Sequence, residues 1–305
     1  MGIKLFRQCK NQVLVFGFFV APLFFSCRTM ADYNYAQINR NLANGNFSQI
    51  RQELEQNSSM IYSSHDELLK NLDNGILLHY DLLYEISNQK LSDAEKLAQT
   101  YSAKSITQSI LSAMTNDTVR DYAGEDFENL YTNIFMALNY INLGEYEDAM
   151  VEVRRFDNKI KLLRTKYEEQ IERFDSQSDS VKVDKVLSRF SDSAFARYLS
   201  MLMYRTQGDS GNAEVDLKYL KNAFTAQKAL YDFKIPSCVN DEISVPNDKA
   251  RLNVVAFSGR APLKKEDVIR VYWGPSVWYK LALPVMEKRK SSVTKISVSA
   301  VNNLT

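Results

Sequence analysis

FENLYTNIFMALNYINLGEYEDAMVEVRRFDNKIKLL, residues 127–163, reads as two helices folded back on one another. In its first half Leu130, Ile134, Ala137, Leu138 and Ile141 recur at the three- and four-residue steps that line up one face of a helix. Gly144 interrupts that pattern, and Tyr146, Ala149, Val153, Phe156 and Ile160 restart it. A glycine between two amphipathic segments supplies the left-handed residue that ends a helix, and so short a connection makes the helices antiparallel neighbours. The small side chains of Ala137 and Ala149 let the two axes approach closely.

Working outward, the chain from Ala31 to about Leu230 contains no proline and consists of helix-length periodic segments. Weaker versions of the same turn occur in NLANGNFSQIRQEL (Gly45, Phe47, Ile50) and YRTQGDSGNAEVDL (Tyr204, Gly208, Ala213). YEISNQKLSDAEKL supplies Leu91 and Ala94 but no glycine. Aligning Ile50, Ala94, Ala149 and Ala213 puts successive copies 44, 55 and 64 residues apart. The order small, aromatic, Gly, aromatic, small at Ala137, Tyr140, Gly144, Tyr146 and Ala149 resembles a tetratricopeptide (TPR) repeat. The resemblance is specific over residues 127–160 and looser elsewhere. A tandem array keeps a period near 34 residues, so extra helices or loops are expected between the copies.

Two polar stretches punctuate the helices: DSQSDSVKVD (175–184), expected as a loop, and DFKIPSCVNDEISVPNDKA (232–250), where Pro236 and Pro246 end the helical region. Beyond them the period changes to that of strands, in LNVVAF (252–257), VIRVYW (268–273), VWYKLALPV (277–285) and VTKISVSAV (293–301). In the last of these Ile296, Val298 and Ala300 alternate with Lys295, Ser297 and Ser299, as in a sheet with one wet face. The expected fold is mainly α, with TPR-like helical hairpins of the α-solenoid type followed by a small antiparallel β module. The expected boundaries are 1–26 for a leader, 27–230 for the helical domain, 231–249 for a linker and 250–305 for the β module.

The leader begins with the basic MGIKLFRQCKNQ and continues into the apolar VFGFFVAPLFFSC, residues 15–27. The apolar segment from Val13 to Phe25 is shorter than the roughly 20 residues that span a bilayer, and Pro22 interrupts it. Ser26 and Cys27 stand where a bacterial lipoprotein signal places its cut site and its acylated cysteine; the pattern resembles such a signal, with Phe24 where leucine is usual. An ordinary cleaved signal and an uncleaved anchor are the alternatives. With Cys9 in the leader and Cys27 acylated, Cys238 is left as a single thiol, so no intramolecular disulfide is expected. Removing residues 1–26 takes away Lys4, Arg7 and Lys10 and no acid, so the formal charge falls from +1 to −2. A nucleic-acid partner would require a concentrated basic face and is not expected.

The run DYAGEDFENLYTNIFMALNYINLGEYEDAMVEVRRFDNKI (121–160), followed by a second hairpin and by NVVAFSGRAPLKKEDVIRV (253–271), resembles a family of uncharacterised bacterial lipoproteins with TPR-like helices and a C-terminal β region. The resemblance covers most of the mature chain. It implies an envelope location and no established activity. The family's β region usually runs on further, which implies a shortened last module here. Arg28 after the cysteine, by analogy with enteric sorting rules, points to the outer membrane on its periplasmic side.

Catalytic spacing is absent. His65 and His79 form no HExxH, and CxxC, GxSxG, P-loop and GxGxxG patterns do not occur, so no metal, cofactor or small-molecule substrate is expected. The acids Asp121, Glu125, Asp126 and Glu128 sit where a helix begins, after Gly124, and there they satisfy free N–H groups and complement the helix dipole. Arg154 or Arg155, beyond Glu152, is expected to pair back to them across the hairpin. Together with Tyr140 and Tyr146, residues Glu125, Asp126, Arg154 and Arg155 are the candidate partner contacts. The expected function is a non-enzymatic, lipid-anchored envelope scaffold that binds another envelope protein or peptide. The alternatives are an envelope hydrolase or glycan-processing enzyme built on the acids near 125, and a surface-exposed host-binding antigen.

Overall fold

The structure, a computed structural model, describes residues 33–108, 121–177, 192–228, 231–245, 248–257, 263–272 and 278–287. Cys27 with the rest of the leader, and the expected strand 293–301, lie outside these residues. The protein is mainly helical and divides into two units, Met1–Ser244 and Val245–Thr305.

In the first unit the described helices are α1 (Ala36–Ala43), α2 (Phe47–Gln56), a single turn α3 (Ser58–Ile61), α4 (Glu67–Tyr80), α5 (Tyr84–Gln108), α6 (Asp126–Leu143), α7 (Tyr146–Gln177), α8 (Ala194–Thr206) and α9 (Ser210–Ala226). They form four consecutive pairs, α1/α2, α4/α5, α6/α7 and α8/α9, and each pair packs chiefly on the pair before and after it in sequence. The four pairs share one kind of turn. Gly45, Gly144 and Gly208 have φ of +71°, +80° and +77°, and Leu82 takes the same left-handed conformation at +62°. In each turn the next residue donates its N–H to the carbonyl five positions back: Asn46 to Asn41, Leu83 to Leu78, Glu145 to Tyr140 and Asp209 to Tyr204, all at 2.8–2.9 Å. That bond closes a helix C-terminus around a left-handed residue. Five residues past each turn sits a side chain that is at most 2% exposed: Ile50, Ser87, Ala149 and Ala213.

The register of the second pair differs from the sequence expectation. Residues 84–97 lie inside the unbroken helix α5, and the turn precedes them at Leu82, so Ser87 rather than Ala94 is the counterpart of Ala149. The turns are therefore 37, 62 and 64 residues apart, and the long helices α5 and α7 absorb much of the excess. Helices α4 and α5 touch closely: a Cβ added at Gly75 would lie 2.6 Å from Leu91 Cδ2, and Ser87 Oγ donates to the Gly75 carbonyl at 2.7 Å.

The largest core cluster is the one announced by the opening stretch. Leu130, Ile134, Ala137, Ala149, Val153, Phe156 and Ile160 are buried together with Met150, and α8 adds Ala196, Leu199 and Met203. Residues 231–242 cover the last described pair. Val239 is buried with Ala194, Leu220 and Ala223, with Tyr231 and Ile235 packed against them. Tyr231 Oη accepts the Ala194 N–H at 2.9 Å, and Arg205 binds Glu242 at 2.8 Å from a 3-10 turn over Ser237–Glu242. Residues 231–242, within the stretch expected as a linker, thus pack on α8 and α9.

In the second unit β1 (Leu263–Tyr272) and β2 (Trp278–Glu287) pair antiparallel from Leu263↔Glu287 to Tyr272↔Trp278. Lys265 forms an ion pair with Glu287 across the ladder. Residues 252–257, also expected as a strand, form no ladder with a described residue.

Candidate functional site

Glu125 is the N-cap of α6 and forms a capping box with Glu128. The Glu128 carboxylate accepts the Glu125 N–H at 2.8 Å and the Tyr122 hydroxyl at 2.6 Å. Asp126 pairs with Lys166 of α7 at 3.1 Å. The expected bond from Arg154 or Arg155 back to these acids does not form, for a geometric reason. Helix α7 runs antiparallel to α6, so the residue opposite the start of α6 is Lys166, and Arg155 lies about 16 Å short of it along the helix axis. Arg154 is exposed, Tyr140 is half-buried at the rim of the core, and Tyr146 is half exposed. The six candidates therefore do not converge on one spot.

His65 Nδ1 lies 3.0 Å from Asp121 Oδ1. His79 Nδ1 lies 2.6 Å from Asn139 Oδ1, with Tyr80, Tyr84 and Phe135 edge-on around the ring; burial lowers its pKa. Cys238 is exposed. Among the described residues no three His, Cys, Asp or Glu are placed to hold a metal ion, and no helix is long and apolar enough to cross a membrane.

Two buried charge clusters were not read from the sequence. In the first, Glu95 of α5 and Glu152 of α7 are 3% and 4% exposed. Arg155 binds both, Lys159 binds Glu95 at 2.6 Å, and Asn133 of α6 donates to Glu152 at 2.6 Å and to Glu95 at 3.3 Å. Burial pulls the Glu95 carboxyl upward, but Lys159, Arg155 and Asn133 outweigh it and hold the group below its ordinary range. A carboxylate so engaged stays ionised, which suits a structural tie between three helices better than proton transfer.

The second cluster centres on Arg197 of α8. Its Nε donates to Asp192 at 2.9 Å, and its Nη1 donates to Asp157 of α7 at 2.5 Å and to Asp216 of α9 at 3.3 Å. Ser200 donates to the other oxygen of Asp216 at 2.5 Å, and Arg164 reaches Asp192 at 3.2 Å. The guanidinium lies 4.8 Å over the Tyr219 ring. Burial opposes the charge on Arg197, but the aspartates more than restore it and its pKa is raised; burial pushes Asp157 and Asp216 upward against the pull of Arg197. A cleft of about 140 Å³ opens beside this cluster between α7, α8 and α9, lined by Asp157, Lys161, Arg197, Tyr204, Asp216 and Tyr219 among others. The sequence carried one sign of it. Asp216 falls on the stripe Ala213, Asp216, Leu220, Ala223 that α9 buries, and a charge on a core stripe asks for a partner.

No protein-family model, curated protein or solved structure matches this chain.

Proposed function

We propose that the chain is a lipid-anchored bacterial envelope protein that works without catalysis, a TPR-like α-solenoid that holds another envelope protein or peptide. The observation that carries this reading is repetition: four left-handed turns with the same closing hydrogen bond, each followed five residues on by a fully packed side chain. Hairpins that stack on their sequence neighbours build a continuous core and leave a long surface for a partner. Further support comes from the acids near 125, which are taken up in capping α6 and pairing with α7. The address rests on the sequence: Cys27 as the acylated residue, outer-membrane anchoring facing the periplasm, and the resemblance to TPR-like lipoproteins.

The test is cross-linking in bacterial cells that express the protein, followed by mass spectrometry of what co-purifies from membranes, with wild type and Cys27→Ser compared. Specific envelope proteins captured by the wild type, together with release of the variant from the membrane fraction, are the expected result. A variant that stays membrane-bound, or a wild type that captures nothing, overturns the reading.

A further inference from the structure

We propose that the cleft between α7, α8 and α9 binds a carboxylate carried on an apolar group, supplied either by an acidic side chain of a protein partner or by a free organic acid. The partner source rests on the scaffold reading above; the carboxylate site does not.

The argument is an inventory of what the cleft leaves unused. A guanidinium has five N–H donors. Those on Nε and Nη1 of Arg197 are accounted for by Asp192, Asp157 and Asp216, and Nη2 has no hydrogen-bond partner among the described residues. Arg197 is 6% exposed and lines the cleft. It is held by three carboxylates and stacked on Tyr219, so it offers two donors from a fixed position and a ligand need not immobilise it. Lys161, one helical turn beyond Asp157, is exposed, and its ammonium makes no hydrogen bond among the described residues; its charge is felt by Asp157. The acids have less left to offer: Asp216 has both oxygens engaged and Asp157 has one.

With Asp192, which takes up Arg164 and Arg197 Nε, the cluster's three cations balance its three acids, and the donors left over are Arg197 Nη2 and the Lys161 ammonium. A carboxylate accepts from a guanidinium and an ammonium together, which a neutral carbonyl does less strongly. The walls decide what the carboxylate is attached to. Tyr219 and Val215 are 42% and 47% exposed beside the charged floor, and Tyr204 and Ile160 complete an apolar side. At about 140 Å³ the cleft is smaller than pockets that enclose a drug-sized ligand, so it fits an anchoring group of a few heavy atoms.

The experiment is isothermal titration calorimetry on the purified full chain in detergent with three probes: acetyl-Phe-Glu-amide, its neutral counterpart acetyl-Phe-Gln-amide, and 3-phenylpropionate. Saturable binding of at least one carboxylate is expected, with the Gln peptide at least about tenfold weaker than the Glu peptide wherever the latter binds. Binding of the Glu peptide alone assigns the site to a partner's acidic side chain, and binding of 3-phenylpropionate alone assigns it to a free acid. Lys161→Gln, at an exposed position, weakens binding about fivefold, and Tyr219→Ala weakens it as well, while Lys96→Gln, at an exposed position on α5, leaves it unchanged. Circular dichroism checks that each variant is folded. The proposal is overturned if neither carboxylate binds at roughly 10 mM, if the Gln peptide binds as well as the Glu peptide, or if Lys161→Gln binds like wild type. If Lys161→Gln also captures the same envelope proteins in cells, the scaffold stands and only the carboxylate site falls.

Discussion

Replacing Asp73 by Asn raises the stability of the helical unit at neutral pH and removes a pH dependence that the wild type carries. Asp73 lies on α4 and accepts the Tyr62 hydroxyl at 2.7 Å; Tyr62 is itself only 7% exposed. Burial raises the carboxyl to about 6 from an ordinary 3.8, Tyr62 pulls it back down, and the charge of Glu128 across on α6 pushes it up again. Among the described residues no cation acts on it, and the other groups facing this spot are Tyr35, Asp66 and, at the entrance to α6, Tyr122. The native carboxyl therefore holds its proton more tightly than the unfolded one. Below about pH 4 both states are protonated and nothing is lost. As pH rises from about 4 through about 6 the unfolded state releases the proton first, so stability falls across that window. Two pKa units at about 1.4 kcal/mol each put the loss near 3 kcal/mol at pH 7. Asparagine keeps an acceptor for Tyr62 and never ionises. Urea unfolding of wild type and Asp73→Asn, from about pH 4 to about pH 8, should show the variant more stable by up to about 3 kcal/mol at neutral pH and the difference vanishing near pH 4. Contributions from groups away from Asp73 are the same in both proteins and cancel in the difference. A difference that does not change with pH, or a variant less stable at pH 7, would refute the argument.

Leu82→Gly should stabilise by about 1 kcal/mol, because Leu82 holds a left-handed φ of +62° and is 69% exposed, so the strain is relieved at little cost in burial; denaturant unfolding at neutral pH measures it. Gly75→Ala should destabilise by about 2 kcal/mol despite the better helix propensity of alanine, since the new methyl meets fully buried Leu91 at 2.6 Å; an unchanged unfolding midpoint would show that α5 can shift away. Arg197→Ala should cost about 3–5 kcal/mol by removing the cation shared by three aspartates, two of them buried, which leaves Asp192 only Arg164 and Asp216 only the Ser200 hydroxyl; it should lower the melting temperature more than Arg155→Ala, whose partner Glu95 keeps the Lys159 ammonium.

The sequence made the hairpin at 127–160 legible because every local signal there agrees: an apolar stripe, a capping box at Glu125 and Glu128, and glycine at the one position that needs a positive φ. The hairpin before it was misplaced because Leu82 occupies that position, and a leucine gives no hint of a left-handed turn until the hydrogen bond from Leu83 to Leu78 is seen. Residues 231–242 looked like a linker because Pro236 and the polar residues around it break helices, but Tyr231, Ile235 and Val239 are apolar at four-residue steps and cover the end of α8 and α9. The charge clusters were the least legible. Asp157, Arg197 and Asp216 are far apart in sequence, and only the packing of three helices brings them together.

Where the charges are buried also bears on how the hairpins find their order. Four similar turns, three of them followed by a small packed residue (Ser87, Ala149 and Ala213), give faces that resemble one another, and such faces stack in wrong pairings at little cost. Charged contacts are not interchangeable. Arg197 of α8 requires acids from α7, from the segment before α8 and from α9 at once, while Glu95 of α5 requires both cations of α7 and Asn133 of α6. A mispaired stack would bury those groups without partners, at several kcal/mol each. Net stability from such clusters is small, because desolvation offsets most of the attraction. Their weight therefore falls on choosing one stacking over others, which explains why each cluster sits at a junction between successive hairpins: α5 with α6/α7, and α7 with α8/α9.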